Sequence, residues 1–117
     1  MNTFGPRLRE ARRSAGKTLE DVASHLGVSI PYVSDIERGN RAPLSNAKIS
    51  VVAAFLGTDA EDLICAAAES RGSFDLDPLQ SPMHRETGAV LMRGWSELSG
   101  EDLENIRAIV NKRMVGR

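Results

Sequence analysis

Three observations on this 117-residue sequence predict an all-α fold. Apolar residues recur at spacings of three and four, the period of a helix with one buried stripe. Short polar residues that can cap a helix open most of these stretches, and glycines close them. The hydrophobic content is 41% but the aromatic content only 4%, a composition that suits small aliphatic helices better than a β-sandwich.

The elements follow in order. "TFGPRLREARRSAG" puts Phe4, Leu8, Ala11 and Ala15 on one stripe, sets Arg7, Arg9, Arg12 and Arg13 around it, and stops at Gly16. "KTLEDVASHLG" restarts at once. Thr18 caps it with Asp21 three residues on, a variant of the capping box. Leu19, Val22, Ala23 and Leu26 face inward, and Gly27 ends it. Ser29 caps a third helix with Pro31 in its first turn, where a missing N–H costs little. Val33 and Ile36 are its apolar anchors, and Gly39 closes it. "NRAPLSNAK" is a polar loop with its turn at Pro43. Ser45 caps a fourth helix, whose stripe is Ile49, Val52, Ala53 and Leu56 before Gly57. Asp59 caps a fifth, with Leu63, Ile64 and Ala67 inward.

These five helices make a first domain over residues 1–70. Residues 71–88, "RGSFDLDPLQSPMHRETG", hold two prolines, two glycines and no sustained period, so they read as a linker or irregular arm. Phe74, Leu76 and Leu79 are apolar enough to dock somewhere, and Arg71 and Arg85 read as solvated charges. Residues 89–117 resume an amphipathic helical pattern. Ser99 and Asp102 repeat the cap signature, and Lys112 and Arg113 in the last turn match the helix dipole. Leu103, Ile106, Ile109 and Val110 form a stripe that has to be buried against something.

Bulk properties narrow the function. The first fifty residues carry eight Lys/Arg against five Asp/Glu, a charge of +3, and the remainder seven against eleven, a charge of −4. A basic front half can meet a polyanion despite a net charge of −1. The single Cys65 excludes an internal disulfide, and its apolar helical context reads as inert core. There is no signal-like N-terminus and no apolar run of roughly 18 residues, so a cytoplasmic chain with no membrane partner is expected. His25 and His84 make no metal-ligand set with Cys65. No acid/base constellation, nucleophile elbow or phosphate loop supports an enzyme, and no cofactor is implied.

A helix, "LGVS", and a second helix ending "IERG" carry the chemistry. Here "TLEDVASHLGVSIPYVSDIERGNRAP" resembles the helix-turn-helix of the Cro and lambda-repressor (XRE-type) family of bacterial and phage regulators. The resemblance spans roughly Phe4 to Ala67, and its most specific parts are "GVS" and "IERGNRAP". It implies a five-helix lambda-repressor-like DNA-binding domain whose third helix enters the major groove. In that pattern the residues matching Ile30, Pro31, Ser34 and Asp35 lie at base edges, and Arg12 with Glu37 forms a structural ion pair bracing the first helix to the third. Leu19 stands where relatives often carry a phosphate-binding Gln.

The residue chemistry agrees with a groove-reading role and refines it. Ile30 can pack on a thymine methyl, while Asp35 can accept only from an exocyclic amine, so part of the specificity is expected from DNA shape. Phosphate contacts are expected from Thr18, Ser29, Tyr32, Arg38, Asn40, Arg41, Ser45, Asn46 and Lys48, many of them at helix N-termini. Arg7, Arg13 and Lys17 are further basic candidates. One such domain reads half a site, so a homodimer on a palindromic operator of double-stranded DNA is expected, with Trp95, Leu98, Leu103, Ile106, Ile109 and Val110 at the interface. The expected function is a transcriptional regulator, in the first instance a repressor of a promoter and conceivably of its own. The alternative is an antitoxin-like regulator whose arm and last helix bind another polypeptide.

Overall fold

The computed structural model describes residues 3–74, 76 and 81–115. Its helices are α1 (Phe4–Ser14), α2 (Leu19–Leu26), α3 (Ile30–Glu37), α4 (Asn46–Leu56), α5 (Ala60–Arg71), α6 (Pro82–Gly94) and α7 (Gly100–Val115), with a 3-10 turn over Trp95–Glu97 between the last two. The chain divides into two compact units, Met1–Asp75 and Leu76–Arg117.

In the first unit α3 packs on α2, α2 on α4, α4 on α5, α5 on α1 and α1 back on α3. The helices thus close into a ring around one core. That core contains Phe4, Leu8, Val22, Val33, Ile36, Ile49, Val52 and Leu63. Ala53, Ala66 and Ala67 let the backbones approach, and Ala11, Ala15, Leu19 and Leu26 lie partly buried at its edge. Leu44, 1% exposed, joins the core from the α3–α4 loop, where no helical period could announce it.

The helix ends are made by local side chains. Thr18 Oγ1 accepts from the Asp21 N–H at 3.0 Å, and Asp21 Oδ2 accepts from the Thr18 N–H at 2.9 Å, which completes the capping box. Ser29, Ser45 and Asp59 accept from the N–H groups of Tyr32, Lys48 and Glu61. Ser99 and Asp102 repeat the reciprocal pair at the start of α7. Thr3 precedes α1 and bonds across the unit, its hydroxyl donating to the Ala66 carbonyl at 3.1 Å and its N–H to Ser70 Oγ at 3.1 Å.

Two expectations are corrected within the first unit. Cys65 is exposed rather than core, because α5 turns Leu63, Ala66 and Ala67 inward and leaves position 65 on the outer side. Arg71 is not a solvated linker charge. It is the last residue of α5, and its guanidinium donates to the Leu44 carbonyl.

The arm assigned to residues 71–88 is corrected in the second unit, since α6 begins at Pro82 with Ser81 at its N-cap position. Serine followed by proline is a helix start as well as a loop signal, and Gly88 inside the helix costs only about 1 kcal/mol relative to alanine. Phe74 and Leu76 are both 65% exposed. Leu79 lies outside the described residues. Among the described residues none in α6 or α7 is buried, and no helix they form is long and apolar enough to cross a membrane.

Gly5 fixes the α1–α3 distance. A Cβ there would lie 2.5 Å from the Glu37 carbonyl oxygen and 2.6 Å from that of Ile36, both rigid backbone atoms. Alanine would gain about 1 kcal/mol of helix propensity, against an overpacking cost of about 1–3 kcal/mol or more. Gly5→Ala is therefore expected to destabilise, lowering the melting temperature of the chain by several degrees in a thermal scan.

The hydrogen bonds from Thr18, backbone first and hydroxyl second, hold the Asp21 carboxyl below its ordinary value of 3.8. A lowered folded-state value means the cap stabilises above the unfolded-state value and loses that contribution as pH falls through the folded one. Comparing melting temperatures of wild type and Asp21→Asn should give a gap that is full near pH 6, narrows below about pH 4 and vanishes well under 3.8.

Candidate nucleic-acid interface

The turn between α2 and α3 is set by two backbone features. Gly27 adopts φ +70° and ψ 33°, a left-handed conformation that residues with a Cβ rarely enter. Its N–H and that of Val28 then bond the Ser24 and Ala23 carbonyls, ending α2 and redirecting the chain. Ser29 caps α3, and Pro31 occupies its first turn without loss of a helical bond.

Helix α3 buries Val33, Ile36 and Glu37. That burial fixes which residues face away. Ile30, 43% exposed, and Pro31 stand outward at the N-terminal end, with Ser34 and Asp35 one turn further on and partly exposed. Positions 30, 31, 34 and 35 share one helix side by their spacing. Tyr32 lies half-buried beside them, and Arg38, Asn40 and Arg41 follow, all exposed. Two of these side chains are already engaged within the chain. Asp35 Oδ1 accepts from Arg38 at 2.8 Å, and the Arg41 guanidinium lies 4.9 Å from the centroid of the Tyr32 ring.

The loop after α3 is built rather than loose. The Gly39 and Asn40 N–H groups bond the Ile36 and Asp35 carbonyls, Leu44 anchors in the core, and Arg71 holds the Leu44 carbonyl from α5. The loop delivers the chain to Ser45, which caps α4 at the Lys48 N–H. Ser45 and Lys48 are exposed and Asn46 is partly buried. Thr18 and Ser29 are exposed caps of α2 and α3. The Thr18 hydroxyl is engaged with the Asp21 carboxyl, whereas the Ser29 and Ser45 hydroxyls accept from their own helices and keep a proton that an anion can take up as a hydrogen bond. Leu19 packs against the core instead.

Behind the outward face, Glu37 is bound in a fork. Arg12 Nε donates to its Oε2 at 2.7 Å and Arg12 Nη2 to its Oε1 at 3.0 Å, while Arg9 Nε reaches Oε1 at 3.4 Å. A third Arg12 bond, Nη1 to the Lys17 carbonyl at 3.0 Å, ties in the α1–α2 loop. The hydrogen bond to Glu37 raises the Arg12 pKa further, in excess of what burial takes away, so the guanidinium keeps its charge. Sequence reasoning left Arg9 unassigned, because its participation depends on how α1 is rotated. It also gave no sign that the exposed His25 ring stacks on Phe55 with centroids 4.1 Å apart, or that Lys17 Nζ lies 5.0 Å from the same Phe55 ring. Among the described residues no group of three or more His, Cys, Asp or Glu side chains could hold a metal ion.

A capped helix, a glycine turn and a second helix pinned by apolar residues on one side and polar on the other define a helix-turn-helix. Residues 3–64 match a family model described as a helix-turn-helix domain, and the chain belongs to that family, of the XRE type, whose members are transcription regulators and not enzymes. It is 39% identical over 67 residues to the uncharacterised HTH-type transcriptional regulator RghRB of Bacillus subtilis (strain 168), a match covering 57% of this chain and 48% of that protein. It is 33% identical over 87 residues to the transcriptional regulator ClgR of Mycobacterium tuberculosis, covering 74% and 77%. The chain thus spans about half the length of the Bacillus relative and three quarters of the mycobacterial one. The crystal structure of the clp gene regulator ClgR from Corynebacterium glutamicum is similar with a TM-score of 0.50 at 30% identity, covering 81% of this chain and 90% of that one.

The buried fork yields a stability prediction. Glu37→Ala would leave the Arg12 guanidinium buried without its partner, at a cost of about 3–5 kcal/mol. Replacing Arg12 and Glu37 together by leucine should cost less than Glu37→Ala alone, since no orphaned charge remains. Chemical denaturation of the three proteins measures the difference.

Proposed function

We propose that this chain is a sequence-specific DNA-binding transcriptional regulator that works in the cytoplasm as a homodimer on a palindromic operator. It represses by occupying a promoter, its own among the candidates. The observation that carries the reading is the outward face of α3, with Ile30, Pro31, Ser34 and Asp35 on one side and the exposed Arg38, Asn40 and Arg41 directly after it. The first four are the base-reading set. The three loop residues, with Thr18, Ser29, Tyr32, Ser45, Asn46 and Lys48, are the phosphate-positioning set. Relatives named as transcriptional regulators support the same class.

Support for the dimer comes from the second unit. Helices of 13 and 16 residues with no buried residue are marginal in water by themselves. They also leave Met83, Val90, Met92, Trp95, Ile109 and Val110 exposed. Leu98, Leu103 and Ile106 are half-buried alongside them. A second copy is the occupant that completes this surface, because two-fold pairing also doubles the half-site. A regulator that instead binds a different polypeptide is a second reading, favoured by the exposure of Phe74 and Leu76.

Selection of bound duplexes from a random pool should return two half-sites about 10–10.5 base pairs apart, centre to centre, or a multiple of that. Affinity should fall steeply with salt. The absence of salt-dependent binding to any duplex would sink the DNA reading. A chain that sediments as a monomer at micromolar concentration would remove the homodimer and favour the heterologous partner.

A further inference from the structure

Tyr32 and Asp35 were assigned above to direct contact with DNA, but each already has a partner on its own chain. The Tyr32 ring carries the Arg41 guanidinium 4.9 Å from its centroid. The Asp35 carboxylate holds the Arg38 guanidinium at 2.8 Å, one helical turn along the same surface. Both arginines are exposed cations in the basic loop region, and Asn40 between them is fixed by its N–H bond to the Asp35 carbonyl.

We infer that Tyr32 and Asp35 are positioning residues: each holds one arginine of the interface in place before DNA arrives, and Arg41 and Arg38 make the phosphate contacts. The inference deepens the DNA-binding reading and rests on it. The physical reason lies in side-chain entropy. A free arginine loses on the order of 2 kcal/mol of rotamer freedom when it is fixed on a ligand. A guanidinium already lying on an aromatic face or bonded to a carboxylate has surrendered part of that freedom in the unbound protein. The two cradles differ in their second effect. The Tyr32 ring is neutral and leaves the whole charge of Arg41 for the phosphate. Asp35 offsets part of the charge of Arg38 and repels phosphate, which opposes the gain from positioning on matched and random duplexes alike.

The distinguishing experiment compares Tyr32→Phe with Tyr32→Ala on the full chain, measuring affinity for its selected duplex. A cradle needs the ring and not the hydroxyl. Tyr32→Phe should therefore lose much less affinity than Tyr32→Ala, which should bind about two- to five-fold more weakly than wild type, the equivalent of an exposed cation–π contact. In the same assay the change in affinity caused by Asp35→Asn should shrink in an Arg38→Ala background, because Asp35 acts through Arg38. Equal losses in Tyr32→Phe and Tyr32→Ala would mean that the hydroxyl itself contacts DNA, and the positioning role of Tyr32 would be overturned. An Asp35→Asn effect of the same size with and without Arg38 would overturn that of Asp35. The Arg41 Nε–H resonance of the free protein separates the two levels of the argument. It should show a ring-current displacement that Tyr32→Phe keeps and Tyr32→Ala abolishes. A displaced signal in a chain that binds no duplex refutes the DNA reading, whereas an undisplaced signal refutes the cradle.

Discussion

Helix α3 can offer the outward face proposed to meet DNA only if it is held at a fixed height and rotation, and the α1–α3 junction supplies both. Gly5 lets the α1 backbone come against the Ile36 and Glu37 carbonyls, closer than any residue with a Cβ would permit. At that separation Arg12 reaches Glu37 with both ends of its fork while its remaining bond holds the Lys17 carbonyl. The fork is sensitive to position, since parallel N–H to oxygen bonds tolerate little sliding or rotation. Apolar packing by Val33 and Ile36 provides most of the burial energy but would accept small shifts of register. The ion pair contributes little net stability over an apolar isostere. What it contributes is a defined geometry at the end of the helix where the basic loop begins.

How much of this the chain discloses beforehand depends on the range of each interaction. Caps and stripes are local. Thr18 with Asp21, Ser29, Ser45 and the run Ile49, Val52, Ala53, Leu56 all declare themselves within a few residues, and the structure has them in those roles. Contacts between elements distant in the chain do not declare themselves. Leu44 has no periodic neighbours, Arg9 joins Glu37 across 28 positions, and Arg71 joins Leu44 across 27. The His25–Phe55 stack with Lys17 joins α2, α4 and the α1–α2 loop, a trio without any sequence spacing to mark it. Cys65 misled because a small apolar side chain in an alanine-rich helix reads as core from either side of that helix. For the interface, the outward set of α3 could be inferred from what Val33 and Ile36 must bury, but the internal engagement of Tyr32 and Asp35 could not.

The two units draw on different sources of order. In the first, fifteen hydrophobic residues from Phe4 to Ala68 are buried, and the ring of helices closes on itself. In the second, α6 and α7 meet at a short 3-10 turn, with Leu98 in an extended conformation between them. Trp95 is 56% exposed there. Among the described residues of its helices none is buried, so little apolar burial offsets the conformational entropy of ordering them, in contrast to the first unit.

The contact between Thr3 and Ser70 has a consequence for the history of such chains. Because the Thr3 N–H sits 3.1 Å from Ser70 Oγ, the chain enters and leaves the ring of five helices at neighbouring points. A module with adjacent entry and exit can be spliced onto unrelated segments without rerouting its own backbone. The helix-turn-helix module is thus portable, and a different tail can follow it while the packing of its five helices stays as it was.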